Sequence, residues 1–382
     1  MIKNRHIFQL QWLLCGILTV LFSACSSSDA GEEDTHKQAK LAIYVYAPEQ
    51  AAQTRADVGQ VDPITNEGTI KSLQIWIYES VSGAYVGYFS TSDVAALNEG
   101  QGTTYQLPVS DDFANKKPNV NVYVMANVTA DNCGVGTLDD KTTRDALMTG
   151  AKITGYFGLD NLQTSVPKDG LPMAGMLTTQ PVVGDAPTLR VGSMSQVATV
   201  RLTRVVSKLR FVFAKTTGQP KVSITSIKMN EGMIPEVEYL FDKTQALTYN
   251  ENAGELLQKP ISDIAETADP TNYLYLGQEA QAYENLIHEA ASKQPNPEVT
   301  IGDTIYLRES DKQLKGTITY KIGEGDGDPQ IANFAMQQAG DFSRNHTWIV
   351  YAYYAGSGNL QVQSLYIKEW STKEKNHELY NW

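Results

Sequence analysis

From Lys40 onward the chain alternates apolar and polar residues with a period of two, the pattern of strands with one face on a core and the other on water. The segments that carry it are Lys40–Tyr46, Ile70–Tyr78, Ala84–Phe89, Asn119–Asn127, Val197–Arg204, Ser207–Ala214, Lys221–Met229, Thr304–Arg308, Leu314–Ile322, Thr347–Tyr354 and Gln361–Trp370. Tyr, Val, Ile and Thr recur in them, residues that fit a pleated, half-buried surface. Helical spacing is confined to Thr142–Met148 and Glu279–Ala291, both in excursions between strands. Many short strands separated by Gly, Asn, Asp and Pro turns predict an all-β protein built of antiparallel β-sandwiches with few short helices. Pro181, Gly184, Pro187 and Gly192 break the pattern before Val197, which suggests a boundary and two tandem domains, residues 39–193 and 194–382.

The segment before the first strand has a different character. Lys3 and Arg5 precede the apolar run Ile7–Val20, and Leu21-Phe22-Ser23-Ala24-Cys25 ends it in small residues and a cysteine. That ending resembles a bacterial lipobox, which would make residues 1–24 a leader cut between Ala24 and Cys25, and Cys25 the acylated N-terminus. An ordinary signal peptide cut near Ala24 and an uncleaved apolar helix are the other readings, although Gln9 and Gln11 and the short run suit a membrane span poorly. Residues 25–38 begin with Ser26-Ser27-Ser28-Asp29 and continue acidic, with little to bury, so they read as a flexible tether. An acidic run after a lipidated cysteine also resembles the surface-export signal of Bacteroidetes lipoproteins.

Charge and cysteine content narrow the function classes. The 31 basic and 43 acidic residues give a formal charge of −12, and removal of Lys3 and Arg5 with a leader would take it to −14. Nucleic acid and anionic membrane surfaces are poor partners for such a chain. Of the three cysteines, Cys15 would leave with the leader and Cys25 would be acylated, so Cys133 would have no intrachain partner. The fold must then be held by its apolar cores.

Little in the sequence points to catalysis. The histidines, His6, His36, His288, His346 and His377, are scattered, and no metalloprotease helix, nucleophile elbow, phosphate loop or paired-cysteine motif occurs. No catalytic residue, metal ligand or cofactor is therefore assigned. Gly323–Pro329 alternates glycine with acidic residues but lacks the spacing of a helix–loop–helix calcium site, and reads as a solvated hairpin loop. Cys133 beside Gly134 reads as a buried small residue or a loop thiol. Asp303-Thr304-Ile305 resembles a Bacteroidetes O-glycosylation sequon. Arg55, in the polar stretch between the first two strands, is a natural protease site. Cutting between Arg55 and Ala56 would separate Lys40–Tyr46 from the rest.

Taken in order, these pieces resemble the Bacteroidales fimbrillins, the subunits of major and minor fimbriae. Thr54-Arg55-Ala56 followed by Ile70–Tyr78 resembles the family's first strand, arginine site and second strand. Tyr123-Val124-Met125-Ala126-Asn127 resembles its next core strand. Leu171-Pro172-Met173-Ala174-Gly175 resembles a short segment late in the first domain. Arg201–Phe211 resembles the basic strand opening the second domain. Phe342-Ser343-Arg344-Asn345-His346-Thr347 with Val350–Tyr354, and then Val362–Trp370, resemble the last strands.

The resemblance implies two transthyretin-like β-sandwich domains and a surface-exposed outer-membrane lipoprotein matured into a fimbrium. An arginine-specific protease would cut after Arg55, and an extended strand of a neighbouring subunit would take the place of Lys40–Tyr46. The implied partners are other fimbrial subunits, the protease, the outer membrane through the lipid, and a surface ligand for adhesion. Gln361–Trp370 and Asn376–Trp382 are the candidate donor strands. A lipid-retaining anchor subunit and a glycan-binding surface lipoprotein are the alternatives.

Overall fold

The computed structural model describes residues 38–47, 67–94, 97, 101–271, 299–325, 327–336, 338–340 and 342–369. The strands of the first half are β1 (Lys40–Tyr46), β2 (Leu73–Glu79), β3 (Tyr85–Thr91), β4 (Gly102–Pro108), β5 (Val120–Ala126), β6 (Lys152–Thr154), β7 (Met173–Gln180), β8 (Val182–Asp185), β9 (Thr188–Val191), β10 (Thr199–Arg201) and β11 (Thr203–Arg204). Those of the second half are β12 (Val206–Thr216), β13 (Val222–Met229), β14 (Val237–Tyr239), β15 (Gly254–Glu255), β16 (Glu266–Thr267), β17 (Thr300–Arg308), β18 (Lys315–Ile322), β19 (Gln330–Ala335), β20 (His346–Tyr354) and β21 (Gln361–Glu369). The chain is all-β, as the alternation predicts.

Two sheets face each other in the first half. One runs β8-β9-β1-β10 with β4 on the other side of β1, and the other runs β11-β7-β5-β2-β3. Between them lies a core that includes Leu41, Ile43 and Val45 of β1, Ile75 of β2, and Val122 and Val124 of β5. In the second half β16-β12-β20-β21, with β17 also on β12, packs on β15-β13-β18-β19. Phe211, Ile224, Ile318 and Trp348 are in that core. The segment read as one strand, Val197–Arg204, is two: β10 joins β1 and β11 joins β7. The kink between them lets consecutive residues complete both sheets of the first half.

A third apolar cluster covers the outer face of the first half's second sheet. Trp76, Tyr78 and Met125 meet Cys133, Leu147, Ile153 and Phe157 from the excursion between β5 and β7, with Leu240, Phe241 and Tyr306 from the second half. Trp76 Nε1 donates to the Asp139 carbonyl at 2.9 Å and the Tyr78 hydroxyl to that of Thr142 at 2.7 Å, which fastens the excursion. The helix expected at Thr142–Met148 is present as Arg144–Gly150, with Thr143 as its N-cap. Short helices at Asp111–Lys116 and Ala130–Cys133 are additional. Glu279–Ala291 lies outside the described residues. Because both faces of β5 are covered, all seven of its residues are buried and it does not alternate.

β6 pairs antiparallel with β14, so a two-stranded ribbon spans the halves. Polar side chains reinforce this junction. Lys208 Nζ lies 3.1 Å from Glu67 Oε2, and the Tyr306 hydroxyl donates to Glu67 Oε1 at 2.6 Å. Arg204 donates through Nε to the Glu67 carbonyl at 3.0 Å and through a terminal nitrogen to Asn345 Oδ1 at 3.3 Å. Within the second half, Arg344 reaches Glu309 at 2.7 Å and Glu238 at 3.0 Å and donates to the carbonyls of Tyr239 and Leu240, which holds the β14 side of that ribbon in place. Burial pushes the Glu238 carboxyl up to about 8, against the opposing pull of Arg344.

Asn127 ends β5 in the left-handed region, φ 58°, which asparagine tolerates better than most residues. Its side-chain nitrogen donates to the carbonyls of Thr69, 2.7 Å, and Leu171, 3.0 Å, and its oxygen accepts from the Lys71 amide, 2.7 Å. One buried side chain thereby fixes the entry to β2 and the approach to β7. Asn127→Ala is expected to lower stability by about 2–3 kcal/mol, since the groups it served lose their partners inside the fold. Urea unfolding monitored by tryptophan fluorescence measures the shift in midpoint.

Candidate functional site

The first strand is the feature on which a function can be built. β1 is an interior strand. All seven of its residues pair antiparallel with β4, Lys40 with Pro108 through Tyr46 with Gly102. On the other side two short strands share the work in parallel register, β9 along Lys40–Ala42 and β10 along Tyr44–Tyr46. Further backbone bonds tie its ends, from Lys40 to the Pro187 carbonyl at 2.8 Å and from Ala47 to that of Gln101 at 2.9 Å.

Leu41, Ile43 and Val45 are each 1% exposed or less. On that inner face Leu41 lies across from Leu107 and Leu189, Ile43 from Tyr105, and Val45 from Val200. Burial of the three contributes roughly 1.5–3 kcal/mol each before ordering costs. Burial, and then the charge of Asp93, push the Tyr105 phenol up, so this wall of the site is neutral at any physiological pH. Removing β1 would leave a slot with apolar walls, one ladder of backbone groups on β4 and another on β9 and β10. What such a slot can do is accept an extended segment.

β4, the main wall of the slot, is absent from the sequence-predicted strands. In Gly102–Pro108 only Tyr105 and Leu107 are buried, and Thr103, Thr104 and Gln106 give the stretch a polar, loop-like composition. The signal available was the two-residue spacing of Tyr105 and Leu107, closed by Pro108. Gly175, in the segment Pro172-Met173-Ala174-Gly175, marks a close approach of the two sheets: a Cβ there would lie 2.4 Å from the Arg201 carbonyl oxygen.

Of the residues assigned from sequence, Ala24, Cys25, Arg55 and Ala56 lie outside the described residues, as does Asn376–Trp382. Gln361–Glu369 is β21 and pairs antiparallel with β20. Cys133 is buried, which pushes its thiol up to about 12, well out of reach of a thiolate at neutral pH. Thr304 lies in β17 and its hydroxyl accepts from Arg210 Nε at 3.0 Å. Gly323–Pro329 joins β18 to β19. Among the described residues no group of three or more His, Cys, Asp or Glu is placed to hold a metal ion, and no helix is long and apolar enough to cross a membrane.

Comparison with known proteins bears on this geometry. No curated protein sequence matches the chain. Among solved structures it is similar to the tip fimbrial protein Mfa3 of Porphyromonas gingivalis, with 12% identity, 86% of this chain and 99% of that one covered, and a TM-score of 0.48. A fimbrial assembly protein of Parabacteroides distasonis is similar at 14% identity, 86% and 95% coverage and a TM-score of 0.47. The fimbrial anchor protein Mfa2 of P. gingivalis is similar at 9% identity, 86% and 99% coverage and a TM-score of 0.41. Residues 39–224, from the residue before β1 into β13, match the family model described as major fimbrial subunit protein (FimA), in accord with the resemblance to the Bacteroidales fimbrillins.

Proposed function

We propose that this chain is a subunit of a surface fimbrium, exported as a lipoprotein through Cys25, and that β1 holds a place later taken by a strand of another subunit. The observation that carries this reading is the position of β1, an interior strand supplying three buried side chains yet joined to β2 only through the stretch that contains Arg55. The family match over residues 39–224 supports a fimbrial role. Cutting between Arg55 and Ala56 would turn β1 from a covalent part of the fold into a dissociable one, and would detach the lipid with it. A replacing strand restores both ladders and refills the apolar floor. In this reading the two sandwiches are the domains 39–193 and 194–382, and the fimbrium supports adhesion.

N-terminal sequencing and intact mass of the protein from the surface of its native cells test this. The expected result is a mature end at Ala56, with oligomer ladders that resist mild heating in detergent. Arg55→Gln is expected to leave an acylated Cys25 and to abolish the ladders. Wild-type protein found only as a monomer with Cys25 retained would overturn the reading.

A further inference from the structure

The outer face of β1 is keyed to its neighbours as closely as the inner one. Ala42, Tyr44 and Tyr46 alternate with the buried residues and are half-buried. Tyr44 is the register partner of Thr104, but its ring reaches diagonally across Gly102. A Cβ built at Gly102 would lie 2.3 Å from the Tyr44 hydroxyl oxygen and 2.4 Å from its Cζ, so only glycine leaves room for the ring. An aromatic side chain laid over a cross-strand glycine supplies the contact that glycine lacks. On the opposite side, Arg201 of β10 is the register partner of Tyr46, and its guanidinium carbon sits 4.9 Å from the centre of the Tyr46 ring. That is a cation–π contact. A strand in this slot therefore meets an apolar floor beneath and, above, a glycine notch and an arginine that each take an aromatic ring.

We infer that the strand replacing β1 belongs to a partner chain that carries aliphatic side chains at three alternate positions and aromatic ones where Tyr44 and Tyr46 stand, a pattern that neither Gln361–Glu369 nor His377–Trp382 of this chain has. This rests on the strand-replacement reading of the same site. β1 is the template for the ligand, and the C-terminal segments of this chain do not meet it. Along His377–Trp382 one alternate set is His377, Leu379 and Asn381, and the other is Glu378, Tyr380 and Trp382. Either set, read in either direction, brings a polar or charged side chain into a pocket that holds Leu41, Ile43 or Val45. Burying such a group without a partner opposes binding strongly. Gln361–Glu369 offers only Leu365 and Ile367 in succession, flanked by Gln363 and Glu369, and it is already paired with β20 along its length. If Leu365, Tyr366 and Ile367 took the places of Ile43, Tyr44 and Val45, Lys368 would stand against Arg201.

Nine-residue peptides offered to the full chain, cut after Arg55 and freed of β1 in mild denaturant, test the inference. One peptide carries residues 39–47, the second is the same with Tyr44→Thr and Tyr46→Thr, and the third carries residues 374–382. By fluorescence anisotropy the first is expected to bind and the second to bind about tenfold more weakly, from one lost cation–π contact and one lost ring-on-glycine contact. The third is expected to bind at least about a hundredfold more weakly, from two polar groups set in apolar pockets. Arg201→Gln is expected to weaken the first peptide about threefold and to leave the second unchanged, a difference that general loss of folding does not produce. Equal binding of the first two peptides would overturn the outer-face requirement. Equal binding of the first and third would make the donor a second copy of this chain. Failure of the first peptide to bind at all would overturn strand replacement itself, and this inference with it.

Discussion

Ile43→Asp is expected to destabilise the uncut chain by more than about 4 kcal/mol, read as a collapse of the urea midpoint. Ile43 is the central inward residue of β1, 1% exposed, across from Tyr105 and in one core cluster with Ile75 and Val124. The substitution removes an isoleucine worth roughly 1.5–3 kcal/mol of burial and puts a carboxylate where no described cation faces it. Protonation would relieve part of that cost, so the loss should be smaller in acid than at neutral pH. An unchanged midpoint would mean that β1 does not occupy the interior of its sheet in solution. In a chain already cut after Arg55, the same substitution is expected to release β1 spontaneously.

The second large effect is at the junction. Lys208→Ala is expected to cost about 3–5 kcal/mol, because it leaves Glu67 buried without its ammonium partner. Replacing Glu67 and Lys208 together with methionine is expected to be milder, since apolar residues of similar volume remove both desolvation costs at once and the remaining loss is the bond that the Tyr306 hydroxyl makes to Glu67. Glu67 follows Arg55 in the chain, so both results should be the same before and after a cut made at Arg55. A single Lys208→Ala variant as stable as the double variant would argue that the pair contributes nothing to holding the halves together. Denaturant melts of the three proteins decide between these outcomes.

How much of this was legible in the sequence depended on which physical effect dominated locally. β1 could be read to the residue, because Leu41, Ile43 and Val45 face a core while Tyr44 and Tyr46 do not, and the pattern keeps a strict period of two. β4 was not legible, because its outward side is polar and two inward apolar residues fall short of a pattern. β5 was read as one of the alternating strands, yet all seven of its residues are buried, because a second cluster covers its other face. The stretch Arg201–Phe211 was legible only as a basic strand, and nothing in it told that Arg204, Lys208 and Arg210 are buried. Their partners Glu67, Asn345 and Thr304 lie far away along the chain, where no local rule can find them. The slot itself was legible only as a family resemblance; its glycine notch and arginine depend on a register that pairs Tyr46 with both Gly102 and Arg201.

The seven-residue register of β1 on β4 also sets how the slot carries a mechanical load. A strand pulled along its own axis from between β4 and the β9–β10 pair strains every rung of both ladders simultaneously, a shear geometry, whereas one peeled from an end gives way rung by rung. Any strand lodged there would hold against a pull along its own length and yield to one that lifts it from an end, so the slot is strongest in the direction in which β1 itself runs.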